Sequence, residues 1–190
     1  MASKIEIFNR ALQLLGAQRA AAVSDTSNNA TACRDCYDAL REKLLRSNRW
    51  KFAIRRTALA ADTPAPTWGR ENSFTLPSDY LLMAPDYPED ATLSLDYEIE
   101  EGKILSDMTA PLYIRYVANV DNVNTMDPIF RELLAHEMAV GMCEKLTQSK
   151  TKKESIAAFI PGLIRDAKRS NAIEGRSQTP LDSEWTTCRA

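Results

Sequence analysis

The spacing of apolar residues changes period twice along the chain, and this change most constrains the fold. Up to Asn48 the apolar residues recur every three or four positions, as in amphipathic helices. From Trp50 to Asn124 the pattern alternates and is divided by turns, which is typical of short β-strands. Helical spacing returns after Asp127. The order predicts an α+β fold: an antiparallel bundle of about four helices, with a small β-sandwich or barrel inserted between helices two and three.

Capping residues set the expected ends of the helices. Ser3 is placed to cap helix one, over 4–15, and Gly16 to end it; helix two follows over 30–48. These positions predict two amphipathic helices that precede the β segment.

The second pair of helices has its own start signals. Asp127 followed by a proline predicts the first turn of helix three. Thr151 and Glu154 have the spacing of a capping box, which predicts the start of helix four. We expect helix four to continue to about residue 173, with a kink at Pro161.

The β segment contains one clear hairpin signal, Glu101 followed by Gly102, between alternating residues. A further strand is predicted in SFTLPSDYLLM, broken at Pro77, and another in PLYIRYVANV. The expected segments are helices one and two (1–50), an inserted β domain (51–125), helices three and four (126–175) and a C-terminal tail (176–190).

Composition places the chain among soluble proteins with a sizeable core. Apolar residues make up 44% and charged residues 26% of the 190 residues. No apolar run approaches the roughly 20 residues of a membrane span, so we expect no membrane insertion. The first residues carry charges within a helical pattern, unlike a signal peptide. We therefore expect a reducing cytoplasm, with the cysteines as thiols.

Charge is distributed unevenly. Residues 1–60 carry 11 basic and 5 acidic side chains, whereas residues 61–126 carry 3 and 12; the whole chain has a formal net charge of −2. The middle third therefore has a different kind of surface from its flanks, and such asymmetry indicates interaction with partners.

Residues with catalytic or metal-binding chemistry are few. His136 has no second ligand at the spacing of a helical metal site and is interpreted as a surface or interface histidine. Cys33 and Cys36 form a C-x-x-C, but it does not follow a strand as redox pairs do. The glycines form no phosphate-binding loop. We expect no enzyme activity, no cofactor, no metal and no catalytic residue.

The stretch LLRSNRWKFAIRRTALA allows two interpretations. Its arginines are suited to phosphate contacts, which favours nucleic-acid binding. Alternatively, Trp50 and Phe52 alternate with Lys51 and lie on one face of a strand, as core residues do. The second interpretation makes the stretch a junction at which helix two enters the β domain.

Several of these pieces, taken in order, resemble one known family. NRWKFAIRRTALA, SFTLPSDYLLM, PLYIRYVANV with MDPIFRELLAHEMAVGMCEKLTQSK, and the terminal SEWTTCRA are similar to the tail tubular protein A family, the head-to-tail adaptors or gatekeepers of short-tailed bacteriophages. The resemblance covers nearly the whole chain. Pro161, in helix four, departs from the family pattern.

The resemblance implies a structural virion protein at the head-to-tail interface of the virion tail, assembled in the bacterial host cytoplasm. It implies a ring of copies of this chain, usually twelve, between the portal protein and the tail nozzle, tail tubular protein B. Tail fibres are expected near the nozzle, and genomic DNA is expected to pass through the lumen without base-specific contact.

Three sets of residues are candidates for these roles. The portal or subunit interface is expected at the C-terminal helix and tail, in Trp185, Arg189, Arg165 and Arg169. The junction between helix two and the β domain is expected at Trp50, Phe52, Arg55 and Arg56. The channel lining, which should repel phosphate, is expected at Glu98, Glu100 and Glu101.

Two functions of other classes remain as alternatives. One is a cytoplasmic nucleic-acid-binding regulator that uses the basic N-terminal part of the chain. The other is a redox enzyme that uses Cys33 and Cys36 and requires a lowered thiol pKa.

Overall fold

A computed structural model describes residues 2–84 and 96–174 of the chain. The fold is mixed α+β, with helices and two small antiparallel sheets. The helices are α1 (Lys4–Leu15), α2 (Asn28–Ser47), α3 (Pro128–Thr147), α4 (Lys150–Ala157) and α5 (Ile160–Ile173). The predicted tail, 176–190, lies outside the described residues.

The ends of α1 agree with the prediction. The Ser3 N–H donates to the Glu6 carboxylate at 3.1 Å, which satisfies one of the amides at the start of the helix. Gly16 ends the helix with φ of 66°, a conformation that costs glycine little. The Lys152 ammonium donates to the Leu15 carbonyl at 2.7 Å, so a cation from α4 lies at the negative end of α1.

The predicted fourth helix is interrupted, and its predicted capping box is wrong. The N-cap of α4 is Ser149, whose hydroxyl accepts the Lys152 N–H at 3.3 Å. Helical structure breaks at residues 158–159, between α4 and α5. Pro161 is the physical reason, because it has no N–H to donate to the carbonyl four residues earlier.

The strands are β1 (Ile54–Leu59), β2 (Asn72–Thr75), β3 (Tyr80–Met83), β4 (Tyr97–Glu100), β5 (Lys103–Ser106) and β6 (Leu112–Ala118). The first sheet has the order β1-β6-β3 and the second sheet has the order β2-β5-β4. Each strand is antiparallel to its neighbour. Among the residues that the structure describes, β1 and β4 are therefore both edge strands.

Two predictions about strands are corrected or refined. The alternation from Trp50 to Ile54 is not a strand: residues 51–53 form a 3-10 turn, and β1 begins at Ile54. The segment broken at Pro77 contributes β2 to the second sheet and β3 to the first. The predicted hairpin joins β4 to β5, with positive φ at Glu101 (47°) and Gly102 (75°), as a two-residue turn requires.

Helix α3 is the centre of the helical part and packs against α1, α2, α4 and α5. Helix α2 also contacts β3 and β6, so it connects the helices to the first sheet. The buried apolar residues form one core that runs through helices and sheets. Among the described residues, no helix has the length and apolarity needed to cross a bilayer.

Candidate interaction surfaces

The basic-aromatic stretch lies where α2 gives way to the first sheet, and its aromatic residues are packed. Trp50 is buried, and its indole N–H donates to the Leu44 carbonyl at 2.8 Å. Its ring lies 5.1 Å from that of Phe130 on α3 and 6.2 Å from that of Phe52, and the Phe52 and Phe130 rings are 5.0 Å apart. The structure therefore brings Trp50 and Phe52 together against α3, which leaves the Trp50 ring unavailable for stacking on bases.

A residue that the sequence did not indicate holds the same junction. The Asn171 side chain, on α5, donates to the Arg49 carbonyl at 3.0 Å and accepts the Lys51 N–H at 2.6 Å. One amide group thus satisfies two backbone groups where α2 ends and β1 approaches. No sequence signal identifies this contact, because its partners are backbone atoms about 120 residues away, which are present whatever the residue type.

Arg55 has an ion-pair partner within the chain. Its guanidinium binds the carboxylate of Asp79, which also accepts the Tyr116 hydroxyl at 2.9 Å. Burial, together with this hydrogen bond, raises the pKa of Tyr116. Arg55 nevertheless keeps much of its side chain exposed at the edge of the first sheet.

Further cations lie at the end of α2 and on the opposite face of the first sheet, because Arg56 follows Arg55 directly on β1. Arg56 on β1 lies directly opposite Arg115 on β6, an arrangement in which like charges repel. Burial, and then the charges of Arg56 and Arg49, lower the pKa of Arg115, so both of these arginines lie near it. Arg56 and Arg115 each take part in further interactions. We define the basic surface as Arg46, Arg49, Lys51, Arg55, Arg56 and Arg115.

An acidic surface occupies the second sheet around Arg70. The Arg70 guanidinium donates to Asp96 at 2.7 Å, to Asp107 at 2.9 Å and to Glu98 at 3.4 Å. The hydrogen bond from Arg70 lowers the pKa of Asp96. The pKa of Asp107 is lowered mainly by the hydrogen bond from the Glu71 N–H and secondly by the one from Arg70. We define the acidic surface as Glu71, Asp96, Glu98, Glu100, Glu101 and Asp107.

The three residues expected to line a channel belong to this surface and are exposed. Glu98 and Glu100 lie on β4, and Glu101 lies in the hairpin turn. Glu100 is opposite Lys103, whose ammonium binds Asp62 at 3.0 Å. The carboxylates are thus partly neutralised by Arg70 and Lys103, and their role as a channel lining stays a prediction.

The residues expected at the portal interface are only partly described. Arg165 and Arg169 are exposed on α5, one helical turn apart. Trp185 and Arg189 lie outside the described residues. The structure therefore neither brings these four together nor separates them.

Large apolar side chains are exposed at several places. Trp68 is 87% exposed, Ile173 74%, Tyr113 67% and Phe159 65%. Phe159 lies in the break between α4 and α5, and Ile173 is the last residue of α5. Exposed aromatic and aliphatic groups of this size are common where proteins meet a partner.

The single histidine is not on the surface, contrary to the sequence interpretation. His136 is buried on α3, and its Nδ1 lies 2.9 Å from the carbonyl oxygen of Glu132, to which it donates. Glu132 itself accepts from Arg10 of α1 at 2.6 Å. The residues that the structure describes contain no group of three or more candidate ligands arranged for a metal ion.

The C-x-x-C motif lies within α2, where its environment opposes thiolate formation. Burial raises the pKa of Cys33 to about 12 and that of Cys36 to about 11. The Cys36 thiol donates to the Cys33 carbonyl at 3.4 Å. A redox pair requires the opposite shift, so this geometry disfavours the redox alternative.

The raised pKa values predict a loss of stability at high pH. A thiol whose folded pKa is above its unfolded value stabilises the protein fully below the unfolded pKa, and this contribution is lost as pH rises. Both thiols start from 9.0, so the loss should begin near pH 9 and continue to about pH 12. We expect unfolding at pH 11 to require about 2–4 kcal/mol less than at pH 8, measured with urea.

The matched control for this prediction removes the thiols and keeps the other titrating groups. In a variant carrying Cys33→Ala and Cys36→Ala, the free energy of unfolding should fall less steeply over the same pH range. Equal slopes in the two proteins would show that the thiols ionise as readily in the folded state as in the unfolded one.

A cleft lies between α3 and α4. It has a volume of about 610 Å³ and a mixed lining that includes Val140, Glu144, Lys153 and Ala157. Lys153 and Glu144 form an ion pair across it at 3.3 Å. Its lining includes no group of convergent nucleophile and base.

Comparison of the sequence with known protein families finds no matching family model, and a search of curated proteins finds no match.

Proposed function

We propose that this chain is a structural virion protein, a tail tubular or adaptor protein of a short-tailed bacteriophage. Copies of it, twelve in the expected ring, join the portal protein to the tail nozzle at the head-to-tail interface. The ring supports tail-fibre attachment and encloses part of the channel through which DNA leaves the capsid. The protein assembles in the host cytoplasm and works without catalysis or a cofactor.

The observation that carries the proposal is the placement of the resembling stretches on the fold. The first, NRWKFAIRRTALA, covers the passage from α2 through Trp50 into β1, and the second supplies β2 and β3. The third supplies β6 and α3, which return the chain to the helices. Helices on both sides of the β segment pack together through α3. This supports a β-sandwich inserted into a helical bundle, as expected for the adaptors.

A second observation that supports the proposal is the amount of exposed apolar surface. Trp68, Tyr113, Phe159 and Ile173 are each more than half exposed, and large apolar side chains of this kind are available for contact with a partner. Phe159 and Ile173 lie at the two ends of α5, the helix that leads into the C-terminal tail. In the proposed ring, this helix and the tail reach the portal.

Electron microscopy of the purified protein, alone and mixed with portal rings, tests the proposal directly. We expect rings with a central channel, formed by the protein alone or on the portal. Trp185→Ala should weaken docking to the portal by about 30-fold or more, as loss of an interface hot spot does, with the circular dichroism spectrum unchanged. A protein that remains monomeric and ignores the portal would refute the adaptor function.

A nucleic-acid-binding regulator is the second candidate, and the basic surface favours it. Arg49 and Arg56 lie close enough to Arg115 to lower its pKa, and clustered cations of this kind suit contacts with phosphates. The regulator would shift DNA in a gel at physiological salt, with affinity falling steeply as salt increases. DNA binding by a monomer that does not recognise the portal would favour this function over the adaptor.

A further inference from the structure

The basic surface and the acidic surface lie on different parts of the same chain. The basic surface surrounds the end of α2 and the first sheet, whereas the acidic surface belongs to the second sheet. We propose that the basic surface of one copy binds the acidic surface of the next, in a head-to-tail contact. This inference rests on the proposed ring and names the interface that builds it.

The charges of the two surfaces support this pairing. All six defining residues of the basic surface are cations, and the carboxylate of Asp79 contacts one of them, Arg55. All six defining residues of the acidic surface are carboxylates; Arg70 binds three of them, and Lys103 lies opposite Glu100. Electrostatic complementarity of this kind fixes the register of a contact and selects the correct partner.

The strands at the two surfaces are both edges. Strand β1 carries Arg55 and Arg56 at one edge of the first sheet, and β4 carries Glu98 and Glu100 at one edge of the second. Edge strands present backbone N–H and C=O groups to a neighbouring chain. Ile99, 41% exposed between the two glutamates, adds an apolar side chain to the acidic edge.

The occupant that fits best is a second copy of this chain. Because the two surfaces are different patches, the contact is heterologous: each copy uses one surface toward one neighbour and the other surface toward the next. Heterologous contacts build rings when the rotation between copies closes.

Nucleic acid is a poorer occupant of the basic surface. The same chain carries the acidic surface and a net charge of −2, both of which repel phosphate. Trp50, the largest aromatic group of the stretch, is buried. Tyr113 is exposed on β6, two residues from Arg115, so DNA binding by this surface is kept as an outcome of the test.

This interface changes the role expected for two channel residues. Glu98 and Glu100, placed between neighbouring copies, would not face the lumen. Their part in assembly would then be to select the neighbouring copy, and the repulsion of DNA would depend on other groups.

Two charge-reversal variants test the contact. The basic-surface variant carries Arg46→Glu with Arg49→Glu, and the acidic-surface variant carries Glu98→Lys with Glu100→Lys. All four side chains are exposed, so we expect both variants to fold, as circular dichroism would verify. A control variant carries Arg19→Glu with Lys150→Glu, at exposed positions outside both surfaces and outside α5.

Sedimentation velocity gives the readout. The wild type and the control should associate, and association should weaken as salt increases. Each surface variant alone should require about tenfold more protein to associate. An equimolar mixture of the two should recover assembly beyond dimers, because the two intact surfaces pair with each other and the two reversed surfaces also pair; the four-residue swap should restore assembly for the same reason.

Several results would overturn the inference. They are surface variants that assemble like the control, a mixture that assembles no better than either variant alone, and a wild type that shows no salt-dependent association at about 1 mM. Loss of DNA binding in the basic-surface variant, with assembly unchanged, would assign that surface to nucleic acid. If both variants formed rings on the portal, the proposed contact would be wrong and the adaptor function would stand. If the wild type formed no rings on the portal, the adaptor function itself would be wrong.

Discussion

Replacing Trp50 with alanine is expected to lower the free energy of unfolding by about 3–5 kcal/mol, the usual loss for a buried aromatic residue. Trp50 is 2% exposed and lies between Phe52 and Phe130, so its removal leaves a cavity that those rings do not fill. It also leaves the Leu44 carbonyl without its donor. Urea unfolding followed by circular dichroism at 222 nm measures the change.

Trp68→Ala is the matched control, because it removes the same side chain at a position that is 87% exposed. We expect that variant to stay within about 0.5 kcal/mol of the wild type. Equal losses in the two variants would show that Trp50 does not hold helices and sheet together. A variant of Trp50 that unfolds in two steps would show that the helices and the first sheet are no longer cooperative.

Arg41→Ala is expected to cost about 2–4 kcal/mol, the second-largest loss among these substitutions. Arg41 is on α2, 5% exposed, and donates to the Val120 carbonyl just after β6 at 2.7 Å. Its carboxylate neighbours are more exposed, and water can solvate them after the substitution. The loss of stability should therefore come from the Val120 carbonyl, which is left without its hydrogen-bond donor, and from the lost packing of the aliphatic part of the Arg41 side chain.

Two comparisons separate these contributions. Arg41→Met keeps most of the stem and removes the donor, so it should retain part of the stability that Arg41→Ala loses. Arg46→Ala, in the last turn of the same helix and exposed, should have little effect. If Arg41→Met were as stable as the wild type, the hydrogen bond to Val120 would contribute nothing net, as replacement of a buried charge sometimes shows.

The break before α5 shows how one residue limits what a sequence pattern predicts. Helical spacing continues through Pro161, and the pattern alone predicts a kinked helix. The structure divides it into α4 and α5, and Phe159 in the break is exposed. The sequence also predicted the wrong N-cap, Thr151 in place of Ser149, because serine and threonine are both good capping residues. The observed cap depends on the turn at Gln148, where φ is 51°, because helix α3 ends there and α4 begins directly after it.

The junction shows a different limit. Alternating aromatic residues predicted a strand over Trp50 to Ile54, whereas a 3-10 turn brings Trp50 and Phe52 onto the same ring of α3. A strand and the observed 3-10 turn would both place Trp50 and Phe52 on the same side of the backbone. The burial of Trp50 therefore agrees with the prediction, although the predicted strand is not there. Asn171 could not be identified, because its partners are backbone groups.

The sequence by itself determined the local elements. The periods of apolar residues, the caps at Ser3 and Asp127 and the Glu101-Gly102 turn act over a few residues, and the structure shows elements there. Only the tertiary structure decided which strands share a sheet, that His136 is buried and that cations and carboxylates form separate surfaces. These features depend on contacts between residues far apart in the chain, and the spacing of residues within a short segment does not predict such contacts.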